Sequence, residues 1–419
     1  MKNLIGDVSS AARILPDLNG EALFVARGKG AYLWDTKGKR YIDTALGFGA
    51  VLLGHAHDGV AARVVEALNE APAPSWAHVR EHAAASELAR HTGDLTRVIF
   101  NNSGSEAVHL ACRAARAYTG RTKIAKMAAG FDGWFDEITL GNVAGADADF
   151  ADGARPSSER VTLLRFNDFE DVGRLFAEHD DIAAIIMEPM LANAGCLMAA
   201  PGYLKHVEAV ARQHDALLIA DEVLMGFRLH AGLTSQREGL RPDLATVGKA
   251  IGSGVPVSAV VGRPDVLEGF EQGRVLRGGT FSGNPMACAA LTSTLEVLDT
   301  ADYAALTMAG ESLRAHIVTA FAEQGIAVST SGYGTVFTIW PCATAPETYR
   351  EALGVASKVF STELHLVLRD LGLLVMPSPF GRIYVSFDHT AEVVEEMKVI
   401  FSKAAARMRS AKYAEALAV

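Results

Sequence analysis

Two polar residues in this sequence stand where apolar runs end. Asp221 closes the run ALLIA, and Lys249 follows LATVG and precedes AIGSGVP. Taken singly, each has an ordinary explanation: an Asp at a strand end turns or caps the chain, and a lone Lys is usually a solvated charge. Taken together, they fit one chemistry. A carbonyl cofactor that works on amines needs a lysine to form a Schiff base and an acid to keep its pyridine nitrogen protonated. It also needs a phosphate site. The run Ser103-Gly104-Ser105-Glu106-Ala107 offers small residues, free backbone N–H groups and a helix N-terminus. Its Ser/Glu pair also reads as a capping box. The run GGTFSGNP, 278–285, is a second Gly/Ser/Thr loop that opens onto a helix.

The elements that must position these residues are legible as alternation. VIF, KIAKMAAG, IAAIIMEP, ALLIADEV, LATVGK and SAVVG are short apolar runs ending in polar residues or Gly, with helical spacing between several of them, as in HVEAVARQH. Such alternation predicts an α/β fold with a mostly parallel sheet covered by helices on both faces. Ligands on sheets of this kind bind at the carboxyl ends of the strands. Residues 24–43 look like short strands around Lys-Gly turns. From about Leu298 the pattern changes to helices, two strand-like segments and a final amphipathic helix. We therefore expect an N-terminal segment 1–54, a large domain 55–297 and a smaller α+β domain 298–419 that the N-terminal strands join. The stretch 141–160 has no periodicity and reads as a lid or as a passive insertion.

Composition narrows the function. The chain has 419 residues, 49% of them hydrophobic and 21% charged, which suits a large buried core. A net charge of −10 argues against a basic nucleic-acid face. Cys112, Cys196, Cys288 and Cys342 are widely spaced, which points to reduced thiols; without a His/Cys cluster no metal is expected. The N-terminus does not read as a signal peptide and no stretch is apolar enough to span a bilayer, so the expected location is cytoplasmic, with no membrane partner.

In order and spacing, SGSEA, Phe131-Asp132-Gly133, ADEV, VGKAIGSGVP and GGTFSGNP resemble the class III aminotransferases, a pyridoxal-phosphate family of fold type I. The likeness covers about 24–390. TFSGNP and PSPFGRIYVSFDHT make it most similar to the glutamate-1-semialdehyde 2,1-aminomutase branch. The resemblance implies a seven-stranded large-domain sheet and a homodimer with shared sites. Lys249 is the implied catalytic residue: it carries pyridoxal 5'-phosphate as a Schiff base and moves the substrate proton, the cofactor passing through its pyridoxamine form. Asp221 binds the pyridine nitrogen, and Val223 and Phe131 pack on the two ring faces. Ser103, Gly104 and Ser105 hold the phosphate, with Thr280 of the neighbouring subunit. Asp132 stands where the family usually has His.

For the substrate, Arg13 lies where the aminomutase branch carries a carboxylate-binding arginine, and Arg382 is a competing candidate. Trp76 and His78 are candidates for the pocket wall, and Glu188 falls near the site. Arg228 resembles a structural arginine, while His55 and His57 read as turn or core residues. The expected reaction moves an amino group from an amino acid or amine to a keto acid or aldehyde by a ping-pong path. Alternatives on the same residues are an aminomutase, whose lid would be 141–160, and an amino-acid racemase or decarboxylase.

Overall fold

The computed structural model describes residues 3–151 and 155–409. Among these residues, seven strands form the central sheet. Their order is Arg97–Asn101, Ser258–Gly262, Leu244–Val247, Leu217–Glu222, Ile182–Met187, Lys123–Met127, Val161–Leu164. Ser258–Gly262 runs antiparallel to both neighbours, and the remaining pairings are parallel. The expected mostly parallel sheet is thus present.

The pleat explains why its strands are apolar throughout. Ile124, Ile186, Leu217, Ile219 and Leu244 pack on one face against the helices Gly104–Thr119 and Pro264–Glu271. Ala125, Ile185, Met187 and Leu218 point the other way, onto Phe169–Glu178 and Tyr203–Gln213. Successive side chains alternate between faces, so a doubly covered strand has no polar side to show.

A second sheet joins distant parts of the chain. Val25–Lys29, Tyr32–Asp35 and Arg40–Asp43 pair antiparallel, and Leu373–Leu374 then adds in parallel, with Leu373 opposite Ile42. A third sheet holds Ser329–Tyr333, Val336–Trp340 and Arg382–Tyr384. The C-terminal part therefore has four strand segments where the sequence suggests two. Leu373–Leu374 and Arg382–Tyr384 are too short for an alternating pattern to show.

The stretch 141–160 is anchored at several of its described residues. Phe150 and Ala148 are buried. Ala144 N–H donates to Tyr349 Oη at 3.0 Å, and Arg155 pairs with Asp171 and Glu178 at 2.8 and 2.6 Å. Among the described residues, no helix is long and apolar enough to cross a membrane.

Candidate active site

The carboxyl edge of the central sheet gathers the polar groups. Asp221 has the same parity as Leu217 and Ile219, so it emerges on the face of helix Gly104–Thr119, whereas Glu222 turns to the opposite face. There Glu222 accepts from Thr234 N–H and Ser235 N–H at 3.1 and 2.5 Å. Two adjacent acids thus take unrelated roles. Thr246 lies level with Asp221 on the next strand, and its hydroxyl donates to Asp221 Oδ1 at 3.1 Å. Val223 N–H donates to the same oxygen at 3.0 Å, which leaves Oδ2 for a ligand.

Lys249 begins the turn Lys249–Gly252 just past the strand Leu244–Val247. Its φ of +47° lies in the left-handed region, which costs a non-glycine residue about 1 kcal/mol. Strain of this kind collects at functional sites. Burial pushes the Lys249 amine below its ordinary range; Asp221 opposes that shift and Arg382 adds to it. Burial pushes the Asp221 carboxyl up, and the neighbouring Asp132 pushes it further. Glu188, at the end of Ile182–Met187, is buried and raised by the same cause, with Asp221 and Asp132 contributing. Its Oε1 is buried without a hydrogen-bond partner, while Oε2 accepts from Ala192 N–H at 3.4 Å.

Above Asp221 lies the first turn of helix Gly104–Thr119. Ser103 caps it, and Glu106 returns the capping box by accepting from Ser103 N–H at 2.9 Å. The Ser103 hydroxyl is therefore engaged in the cap. The Gly104 and Ser105 amides belong to the first turn, which has no intrahelical acceptors for its N–H groups. Close approach fixes two glycines here. A Cβ on Gly104 would meet Val223 Cγ1 at 2.8 Å, and one on Gly133 would meet Ser105 Oγ at 3.0 Å. Phe131 is 43% exposed, although its neighbour Asp132 is buried.

These features fit the cofactor that the resemblance implies. They provide a half-buried amine and a buried acid whose Oδ2 takes no hydrogen bond from the Val223 amide or the Thr246 hydroxyl. A bare helix N-terminus, a small-residue cradle and an open aromatic ring complete the set.

The remaining expected residues have other surroundings. Arg13 is exposed on the turn Ala11–Arg13, and Trp76 is 84% exposed. Two buried guanidinium groups act on Lys249, Arg382 more strongly than Arg228. Arg382 donates to Tyr384 Oη at 2.8 Å and to the Ala192 carbonyl at 3.3 Å, and among the described residues no carboxylate pairs with it. Arg228 is also buried; it donates to the Leu224 and Gly49 carbonyls and lies 5.0 Å from the Tyr384 ring. Thr280 lies on the exposed stretch 276–281. His78 caps helix Val79–Ala89 and contacts the Gly283 carbonyl at 2.8 Å. His57 caps Asp58–Glu70, and His55 pairs with buried Asp43 at 2.8 Å.

Lys126 escaped the sequence reading. A lysine inside KIAKM, on the same face as Ile124, was the available signal. The described residues also contain a ligand-type cluster of Glu87, His91 and Asp299. Arg90 already bridges its two carboxylates.

The fold and this edge define a pyridoxal-phosphate transferase of fold type I. The Aminotransferase class-III family model matches residues 17–317. Glutamate-1-semialdehyde 2,1-aminomutase of Thermus thermophilus is 36% identical over 416 residues, 96% of each chain. The β-phenylalanine aminotransferase of Variovorax paradoxus superposes with a TM-score of 0.86 at 28% identity, over 97% of this chain and 91% of that one. An omega-transaminase from Sphaerobacter thermophilus gives 0.85 at 29% identity, over 97% and 100%. This chain belongs to the class III aminotransferases, enzymes that depend on pyridoxal 5'-phosphate.

Proposed function

We propose that this aminotransferase takes a carboxylate-bearing amino donor and a keto-acid acceptor in turn, using Lys249 as its catalytic base. One observation carries this: Lys249, half-buried, lies in a cluster with Asp221 and with Arg382, a buried guanidinium with no carboxylate within ion-pair distance among the described residues. A buried, unpaired guanidinium is costly unless a ligand anion completes it, and its planar fork suits a carboxylate. Arg382 rather than Arg13 is therefore our substrate anchor. Both the donor and the acceptor would present their carboxylate to it.

When bound, pyridoxal phosphate supplies a ring that delocalises the electron pair left on the substrate carbon. The protein's part is to hold and to move protons. Lys249 would hold the cofactor, and its neutral Nζ would then take the substrate-carbon proton and return it. Asp221 Oδ2 would face the ring nitrogen, and Val223 and Phe131 the two ring faces. The Gly104 and Ser105 amides would bind the phosphate. Burial that lowers the Lys249 amine makes it a usable base near neutral pH.

We also propose a homodimer in which Thr280 completes the phosphate site of the partner subunit. Its support is the exposed apolar set Trp76, Val79, Leu276 and Phe281, brought together where His78 meets Gly283. The division at 54 and 297, and a cytoplasmic location, are proposals of the same standing. The first is supported by the pairing of Arg40–Asp43 with Leu373–Leu374.

The test follows the visible band of the protein's bound pyridoxal phosphate while donors are added one at a time without acceptor. The panel holds α-amino acids, β-amino acids, simple amines and glutamate 1-semialdehyde. Loss of the band with a carboxylated donor, and its return with a keto acid, is the expected outcome. The 36% identity to an aminomutase favours a second reading, intramolecular transfer. Isomerisation of the semialdehyde, with no donor converting the cofactor, would establish that reading and sink the first.

A further inference from the structure

Near Asp221 the structure holds a second acid and its cation, both out of water. Asp132 is 2% exposed and Lys126 is fully buried, with Nζ 3.3 Å from Asp132 Oδ2. The ammonium spends its hydrogen bonds elsewhere, on the Ile138 carbonyl at 2.9 Å and Asn142 Oδ1 at 2.6 Å. Asp132 Oδ2 is left buried with no hydrogen bond of its own. The Asp132 carboxyl lies within hydrogen-bonding reach of Asp221. Asp221 in turn has committed only Oδ1, to Val223 and Thr246.

The titratable groups facing Asp132 come from four elements. They are Lys126 on Lys123–Met127, Asp221 on Leu217–Glu222, Glu188 beyond Ile182–Met187, and the Cys112 thiol on Gly104–Thr119. Burial disfavours the charge of Glu188 and of Cys112, and it pushes the Asp132 and Asp221 carboxyls up as well. With Asp132 held toward ionisation by Lys126 and Asp221 ionised at the ring, two carboxylates face the Lys126 ammonium, an excess of one negative charge. A protonated pyridine nitrogen at Asp221 would balance it. A histidine at this place would carry no negative charge in either protonation state.

Resting on the cofactor reading above, we propose that Asp132 is a positioning residue for the reaction. With its charge fixed by Lys126, it acts through Asp221 to keep the pyridine nitrogen protonated to higher pH than Asp221 alone would. A second negative charge close to the first raises the proton affinity of a group that faces both. Burial pushes the Asp132 carboxyl up, and Lys126 opposes that shift, holding Asp132 toward its ionised form. The effect sharpens electron withdrawal by the ring without any contact between Asp132 and the substrate.

The experiment is nitrogen NMR of isotope-labelled pyridoxal phosphate bound to the holoenzyme, titrated with pH. Wild type is compared with Asp132→Asn, Lys126→Met and the double variant. Asp132→Asn should lower the midpoint of ring-nitrogen protonation by about one pH unit or more. Lys126→Met should lower it too, because the unpaired Asp132 then protonates. The double variant should match Asp132→Asn rather than add to it. An Asp132→His enzyme should titrate like Asp132→Asn. A pair that merely braces the fold would change the melting temperature and leave these midpoints together, and that result overturns the proposal. If the wild-type protein binds no cofactor and shows no visible band, the cofactor reading falls and takes the proposal with it.

Discussion

At the scale of residues, the site depends on charges that are buried together. Replacing Lys249 with Ala should remove the visible band and lower amino transfer by at least about 10³-fold, within the range of lost acid–base catalysis. Ordinary turnover by that variant would refute the assignment. Arg382→Gln has two separable effects. It removes one cause of the depressed Lys249 amine, so the free-base form should require higher pH. It should also raise KM for carboxylated donors while leaving simple amines nearly unchanged. Equal losses for both donor types would argue that Arg382 serves only the fold. Asp221 and Lys249 were legible from sequence because each ends an apolar run. The environment of Arg382 was not, because it depends on a three-residue strand and on the register of Val336–Trp340 beside it. Lys126 was hidden for a related reason: its neighbours are set by which strand lies beside which.

At the scale of elements, the decisive contact is between a helix end and a strand end. Gly104→Ala would press its Cβ onto Val223 Cγ1, and overpacking of this size costs about 1–3 kcal/mol. A cradle shifted by that much should weaken pyridoxal-phosphate binding about tenfold or more, measured by absorbance titration. Unchanged affinity would mean that the turn adapts freely. Ser103→Ala tests the cap separately and should cost about 1 kcal/mol of stability in denaturant unfolding. The sequence showed both the cap and the cradle in SGSEA without ranking them. The structure separates them by atom, giving the cap to the hydroxyl and leaving two amides for a ligand. The stretch 141–160 was less legible: its anchors, Tyr349, Asp171 and Glu178, lie outside it.

At the scale of the whole molecule, oligomeric state and acid stability are the open quantities. Sedimentation should give twice the 44.5 kDa of the chain, and Phe281→Asp should shift it toward the monomer with loss of cofactor affinity. A monomeric wild type of full activity would exclude a shared site. One contribution to acid stability comes from His389, which is buried and accepts from Ser386 N–H at 3.2 Å through Nδ1. Burial pushes it down to about 4 from 6.5. The stability it lends is fully present above pH 6.5 and is lost as pH falls toward 4, about 3 kcal/mol in all. Melting curves at pH 7 and 4.5 should therefore differ less for His389→Asn than for wild type. An identical difference would show that other groups govern acid unfolding. The α/β class and the layered sheet were visible from the alternation of apolar runs. The third sheet was only half visible, because its last strand is too short to carry a pattern.

The parallel pairing of Leu373 with Ile42 has a consequence for how the protein is made. During synthesis the hairpin 25–43 leaves the ribosome without its last strand, which follows roughly 330 residues later. At the usual pace of elongation the wait is on the order of tens of seconds. Until then the free edge of Arg40–Asp43 stands open to any other extended chain. Closing so long a loop is among the slowest kinds of contact a fold can require. The nascent chain thus carries its own aggregation hazard at its leading end, and its yield in a cell should depend more on chaperone supply than on the stability of the finished enzyme.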